Sequence, residues 1–126
     1  MGDISTRFLI ISDTHDLDIA QYTTTIVGSS GQNGYGFRPL PAVDVVLHCG
    51  DLTEGGGRES HQKALRGLAS IRAELKLMIP GNHDIDLDAR YLSRNLDSSE
   101  EAMKIFEATR AIWTGDYARS NEIHYL

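Results

Sequence analysis

Three short apolar runs along the chain each give way directly to a cluster of polar functional groups. Residues 7–12 form a run with β-branched positions that reads as a buried strand, and Asp13-Thr14-His15-Asp16 follows it. Residues 43–49 read as a second strand, ending at Gly50-Asp51. Residues 75–79 read as a third, which turns at Pro80-Gly81 and then presents Asn82, His83 and Asp84 in succession. A buried strand ordinarily ends in turn residues with little chemistry. Three that deliver Asp, His or Asn make the pattern of a metal or phosphate site on a parallel sheet.

The stretches between them supply helices. Residues 59–73 carry Leu65, Leu68, Ala69 and Ile71 at helical spacing with charges between, which predicts an amphipathic helix. His61 lies in its polar start and is expected to be solvated. A strand, a helix and a strand of these lengths predict a crossover that sets the two strands parallel. Ser98 and Ser99 followed by Glu100 and Glu101 read as a helix start, and the helix continues to Trp113. Its expected buried face is Ile105, Phe106, Ala108, Thr109 and Ile112. Gly115 ends it, and residues 122–126 read as a last strand. The alternation predicts an α/β fold, a mostly parallel sheet with flanking helices, in a single domain over residues 1–126.

Two segments break the pattern. Residues 17–41 lose clear periodicity and read as a long loop or insertion, although Thr23-Thr24-Thr25 suits a short strand and residues 28–36 are loop in composition. Tyr22, Tyr35 and Phe37 are expected to pin this loop to the surface. Gly55-Gly56-Gly57 precedes a helix but lacks Walker spacing and the Lys-Ser/Thr that would follow, so it reads as a flexible connector.

Composition narrows the partners. A formal charge of -6 with no dense Lys/Arg cluster argues against a dedicated nucleic-acid binder, while leaving room for phosphate held through a metal. Cys49 is the single cysteine and forms no disulfide within the chain, so a reducing, cytoplasmic setting is expected. No run reaches the roughly 18 apolar residues of a membrane span, and no signal-peptide core precedes the first strand. Met1-Gly2-Asp3-Ile4-Ser5-Thr6 meets the minimal myristoylation pattern, yet Asp3 directly after the glycine disfavours it and no lipid is expected.

Ligands of open parallel sheets bind beyond the carboxyl ends of the strands, which brings Asp13, His15, Asp51, Asn82 and His83 near one another. Oxygen donors mixed with imidazole suit Mn, Fe, Zn or Mg. A carboxylate such as Asp51 can bridge two cations about 3.5–4 Å apart, the spacing of two-metal hydrolytic sites. His83 is then placed to donate a proton to a leaving oxygen, with Asp84 holding its tautomer. His48, inside an apolar strand, is expected to be a hydrogen-bonded core histidine, and His124 has no acidic neighbour that suggests a ligand.

The order Asp-x-His, Gly-Asp, Gly-Asn-His-Asp, at Asp13/His15, Gly50/Asp51 and Gly81 to Asp84, resembles the calcineurin-like metallophosphoesterase superfamily. Ser12-Asp13-Thr14-His15 and Leu47-His48-Cys49-Gly50-Asp51-Leu52-Thr53-Glu54 look most like its small phosphodiesterase-like branch. The resemblance implies a two-sheet sandwich with helices outside, of which this chain resembles the N-terminal half. It implies two divalent metal ions, with Asp13 and His15 on the first, Asp51 bridging and Asn82 on the second. It also implies His83 as acid or charge stabiliser, oriented by Asp84, and hydrolysis of a phosphomonoester or phosphodiester substrate, with manganese among the candidate metals.

The family usually adds ligands from a downstream Gly-His-x-His segment that this sequence does not contain. An alternative is therefore a catalytically impaired metal- or phosphate-binding protein acting through a partner, and a missing second sheet would favour a homodimer. A phospho-accepting receiver shares the fold class, but the sequence has no acidic pair after the first strand, and Gly-Asn-His-Asp has no role there.

Overall fold

The structure, a computed structural model, describes residues 2–23 and 40–126. Four strands, β1 (Phe8–Ile11), β2 (Val45–His48), β3 (Leu75–Met78) and β4 (Ile123–Tyr125), pair in the order β1-β2-β3-β4, and every pairing is parallel. The sheet is connected by helices α1 (Arg58–Ser70), α2 (Ala89–Asn95), α3 (Ser99–Thr114) and α4 (Asp116–Ser120). The expected α/β architecture with a parallel sheet is what forms. The helix expected over residues 59–73 stops at Ser70, where Ile71 turns to extended backbone and still buries its side chain.

Among the described residues, the helices pack on one face of the sheet. Leu9, Ile11, Val46, His48, Lys76, Met78 and Ile123 point toward them, and Leu52, Leu68, Trp113 and Ile123 fill the core between. Burying a side chain such as Leu68 contributes about 2 kcal/mol. No described helix covers the opposite face. In register, Phe8 lies beside Val45 and Leu75, and Ile10 lies beside Leu47, Leu77 and His124. This corrects the reading of β1 as a buried strand, because Phe8 is 55 % and Ile10 66 % exposed. The continuous apolar run reflects two chemically similar faces, of which the helices cover one.

Helix α3 differs from expectation in its phase. Ala102, Thr109 and Trp113 are its buried residues, whereas Ile105, Phe106 and Ile112 are half-buried and Ala108 is exposed. Ser98 caps it by accepting from the Glu101 N–H. The short helix α2 is not anticipated from the sequence; Asp88 caps it, its carboxylate accepting from the Arg90 and Tyr91 N–H groups.

His61 corrects a second expectation. It faces inward from α1 and is fully buried, with its Nδ1 accepting from Trp113 Nε1 at 3.2 Å. The residue that buries it comes from α3, so its own neighbours in sequence gave no sign. Burial lowers its pKa, opposed by the charges of Asp84, Asp86 and Asp16.

The loop expected over residues 17–41 opens with a short 3-10 helix, Ile19–Tyr22, whose Ile19 packs against Gly67 of α1. The possible strand at Thr24-Thr25, the glycine-rich stretch, and Tyr35 and Phe37 lie outside the described residues. The triple glycine is a held turn. Gly56 donates to Thr53 Oγ1 at 3.0 Å and Gly57 to Asp86 Oδ2 at 2.5 Å, which fixes the entry to α1. Among the described residues no helix is long and apolar enough to cross a membrane.

Candidate metal centre

Beyond the ends of β1 and β2 the backbone continues to pair. Asp13, His15 and Asp16 donate their N–H groups to the carbonyls of Gly50, Asp51 and Leu52 at 3.0, 3.1 and 3.0 Å. The two exit loops therefore run side by side and bring their side chains together. The cost is backbone strain: Asp13, His15, Asp16 and Asp51 all have positive φ, at 53°, 40°, 63° and 55°.

The β3 exit loop is tied onto the same platform. His83 donates its backbone N–H to Asp51 Oδ1 at 3.0 Å. Gly50, with φ 103°, lies so close that an added Cβ would fall 2.8 Å from Gly81 Cα, so both glycines are required by this approach. Asp84 is fully buried and accepts from Leu52 N, Thr53 N, Thr53 Oγ1 and Gly81 N at 3.2, 2.8, 2.9 and 2.8 Å. Its carboxylate is the clasp that joins the second and third exit loops.

The result is a convergence of ligand-type atoms. Asp13, His15 and Asp51 each offer one donor atom within 4.8 Å of the others. Asp13 Oδ1 lies 3.6 Å from His15 Nε2, and Ser12 Oγ donates to Asp13 Oδ2 at 2.5 Å. That hydrogen bond chiefly, with help from His15, lowers the Asp13 pKa and keeps the carboxylate ionised. Asn82 is exposed on the loop that carries His83. The chemistry of the donor set, carboxylate with imidazole, fits this place to a divalent cation, with His15 Nε2 the ring nitrogen that faces Asp13.

The ring of His83 stands edge-on to that of His15, with centroids 4.7 Å apart and planes at 86°. His83 Nδ1 pairs with the Glu54 carbonyl at 2.7 Å, which makes Nδ1 the donor and leaves Nε2 outside that hydrogen bond. This hydrogen bond is also the main cause of a raised His83 pKa, which burial opposes and the charges of Asp51, Glu54 and Asp84 reinforce. The sequence assigned the orientation of this ring to Asp84. The structure gives that task to the Glu54 carbonyl, because the Asp84 oxygens are committed to the four donors above.

Sequence reasoning also gave no role to Glu54 or Asp16. Asp16 Oδ2 accepts from the Glu54 N–H at 3.3 Å, and the Glu54 carboxylate lies 3.2 Å from His15 Nδ1. Glu54 closes the second motif, and its position three residues after Asp51 is the signal that went unused. His48, buried beneath the site, has Nε2 2.9 Å from Thr14 Oγ1 and accepts the Gly50 N–H on Nδ1 at 3.3 Å. It supports two exit loops from below, as a core histidine. His124 is half-exposed on β4, and Glu122 lies 3.7 Å away, an acidic neighbour that sequence reading overlooked. A groove of about 590 Å³ opens beside Asp16, lined also by Glu59, Ser60, Gln62, Lys63 and Arg66.

Comparison with known proteins gives these residues a context. A family model described as calcineurin-like phosphoesterase matches residues 6–124. The chain is similar to metallophosphoesterase domain-containing protein 1 of Homo sapiens and of Mus musculus, at 34 % identity over 89 residues in each case. These matches cover 70 % of this chain and 22 % of the relatives. It is also similar to a protein of Emericella nidulans named as a probable rhamnogalacturonate lyase C, at 41 % identity over 56 residues, or 44 % of this chain and 5 % of that one. The chain thus spans about a fifth or less of the length of these curated relatives.

Proposed function

Since the chain belongs to the calcineurin-like phosphoesterase family, we propose that it acts in metal-dependent hydrolysis of phosphate esters, through a site built on Asp13, His15, Asp51, Asn82 and His83. The observation that carries this reading is the convergence of Asp13, His15 and Asp51 at the ends of two neighbouring parallel strands, with the backbone of His83 tied to Asp51. Asp13 and His15 would hold one cation, Asp51 would bridge to a second, and Asn82 would add its amide oxygen to the second. Divalent cations there supply a nucleophile at neutral pH and neutralise charge on the phosphoryl group.

The rest falls to the protein's own side chains. His83 keeps a proton on Nδ1 for the Glu54 carbonyl, so Nε2 is the atom turned toward the leaving oxygen. Its raised pKa keeps Nε2 protonated, and able to donate, to higher pH than an ordinary imidazole. Asp84 is a positioning residue: by accepting from Gly81, Leu52 and Thr53 it fixes the loop that carries His83 relative to Asp51. The groove beside Asp16 would receive the organic part of the ester.

Hydrolysis of bis(p-nitrophenyl) phosphate with added Mn tests the reading. Turnover by the native chain should depend on the metal and fall at least 100-fold in Asp51→Asn and His83→Ala, a scale typical of losing a positioned acid or ligand, about 10²–10⁴-fold. Turnover that survives in both variants, or that ignores chelation of the metal, would refute it.

A further inference from the structure

His15 has two ring nitrogens, and they face different partners. Nε2 looks toward Asp13, whereas Nδ1 looks away from it, toward the Glu54 carboxylate. His15, Glu54 and His83 together offer three donor atoms within 4.8 Å of one another, a second group that shares only His15 with the first. We propose that these three residues form an alternative binding site for a zinc-like divalent cation, exclusive of the first because a neutral His15 ring has one lone pair to give, and that a cation there takes His83 away from the substrate.

The geometry suits the chemistry. Two imidazoles and one carboxylate are a donor set that zinc uses in three-ligand sites with an open fourth position. Ligands about 2.0–2.1 Å from a tetrahedral ion lie about 3.3 Å from each other. The Glu54 oxygen and His15 Nδ1 are already 3.2 Å apart, and they do not meet the geometry of a hydrogen bond. That leaves a buried nitrogen and an anionic oxygen facing a common space with nothing between them. The Glu54 side chain is 69 % exposed, so it can rotate to close the remaining distance without disturbing the core.

Glu54 also prepares the third ligand. Its backbone carbonyl accepts from His83 Nδ1, and a ligating histidine is normally oriented by a hydrogen bond of this kind at its other nitrogen. One residue thus fixes the ring with its main chain and offers a ligand with its side chain. The edge-to-face packing of the two imidazoles keeps both rings beside the same space.

The suppression of hydrolysis rests on the phosphoesterase reading; cation binding does not. A competition titration of zinc against a chromophoric chelator, on the native chain and on Glu54→Gln, His83→Gln and Asp51→Asn, tests both. The native chain should show a zinc-binding class that Glu54→Gln and His83→Gln weaken at least tenfold and that Asp51→Asn retains. With Co(II), the intense visible bands of a four-coordinate site should appear in the native chain and in Asp51→Asn, and vanish in Glu54→Gln. Zinc added to the Mn-loaded chain should suppress turnover in the native protein. Circular dichroism establishes that each variant is folded. Equal zinc affinity in native, Glu54→Gln and His83→Gln would overturn the proposal, as would loss of all zinc binding in Asp51→Asn. Absence of turnover in every protein, with the zinc class intact, would refute the hydrolytic reading and leave the site standing.

Discussion

Mild acid should loosen this fold through His48, well before the carboxylates titrate. The ring is buried, and both nitrogens are committed: Nδ1 accepts the Gly50 N–H, so Nε2 carries the proton toward Thr14 Oγ1. An imidazolium would set a second N–H against that of Gly50, and burial alone disfavours the charge. The pKa is accordingly lowered from 6.5 to about 4, chiefly by desolvation, although Asp84, Asp13 and Asp51 pull the other way. Above pH 6.5 the ring is neutral whether the chain is folded or not. As the pH falls, the unfolded chain takes up a proton that the folded one refuses, so stability declines until the folded ring titrates near pH 4 and then levels off. The full gap corresponds to roughly 3 kcal/mol, a large part of a typical stability of about 5–15 kcal/mol. Urea unfolding followed by the fluorescence of Trp113, the single tryptophan, measures it across this range. His61 contributes with the same sign, so the comparison is with His48→Gln, which should flatten the pH dependence by up to one proton's worth. Parallel curves for native and variant would refute the reasoning.

Asp84→Ala should destabilise the chain by roughly 3–5 kcal/mol, since it removes a buried charged acceptor and leaves buried N–H donors unpaired; the denaturation midpoint reads this, and a loss below about 1 kcal/mol would mean that the clasp is dispensable. Trp113→Phe should cost about 2 kcal/mol, because His61 Nδ1 loses its donor while Nε2 has no hydrogen-bond partner among the described residues, only the Asp86 carboxylate at 3.9 Å, and a thermal melt would register the change.

Much of this architecture is written locally. An apolar run followed at once by Asp-x-His, Gly-Asp or Gly-Asn-His-Asp tells of a strand and of what lies at its end, because a parallel sheet puts all such ends on one edge. The parts that escaped a linear reading depend on distant partners. His61 is inside because Trp113, on another helix, donates to it. Asp84 looked like the natural neighbour of the His83 ring, yet its hydrogen bonds reach back to Leu52 and Thr53 on the preceding exit loop. The two faces of β1 are equally apolar, and only the placement of the helices decides which is covered. The assignment of Asp13, His15, Asp51 and Asn82 as ligands rests on their motifs, and the Mn-dependent hydrolysis by Asp51→Asn puts the Asp51 part of it to experiment.

The cluster of positive φ angles at Asp13, His15, Asp16 and Asp51 carries a consequence for any attempt to improve the protein. Each such angle costs about 1–3 kcal/mol in a residue other than glycine. Selection for heat resistance alone would favour glycine or asparagine at these positions, relieving the backbone and, at Asp13, His15 and Asp51, discarding a proposed ligand. Robustness and the proposed metal chemistry compete at three of these positions, Asp13, His15 and Asp51. A stabilised variant of this chain is therefore best sought on the helices, away from the strand ends.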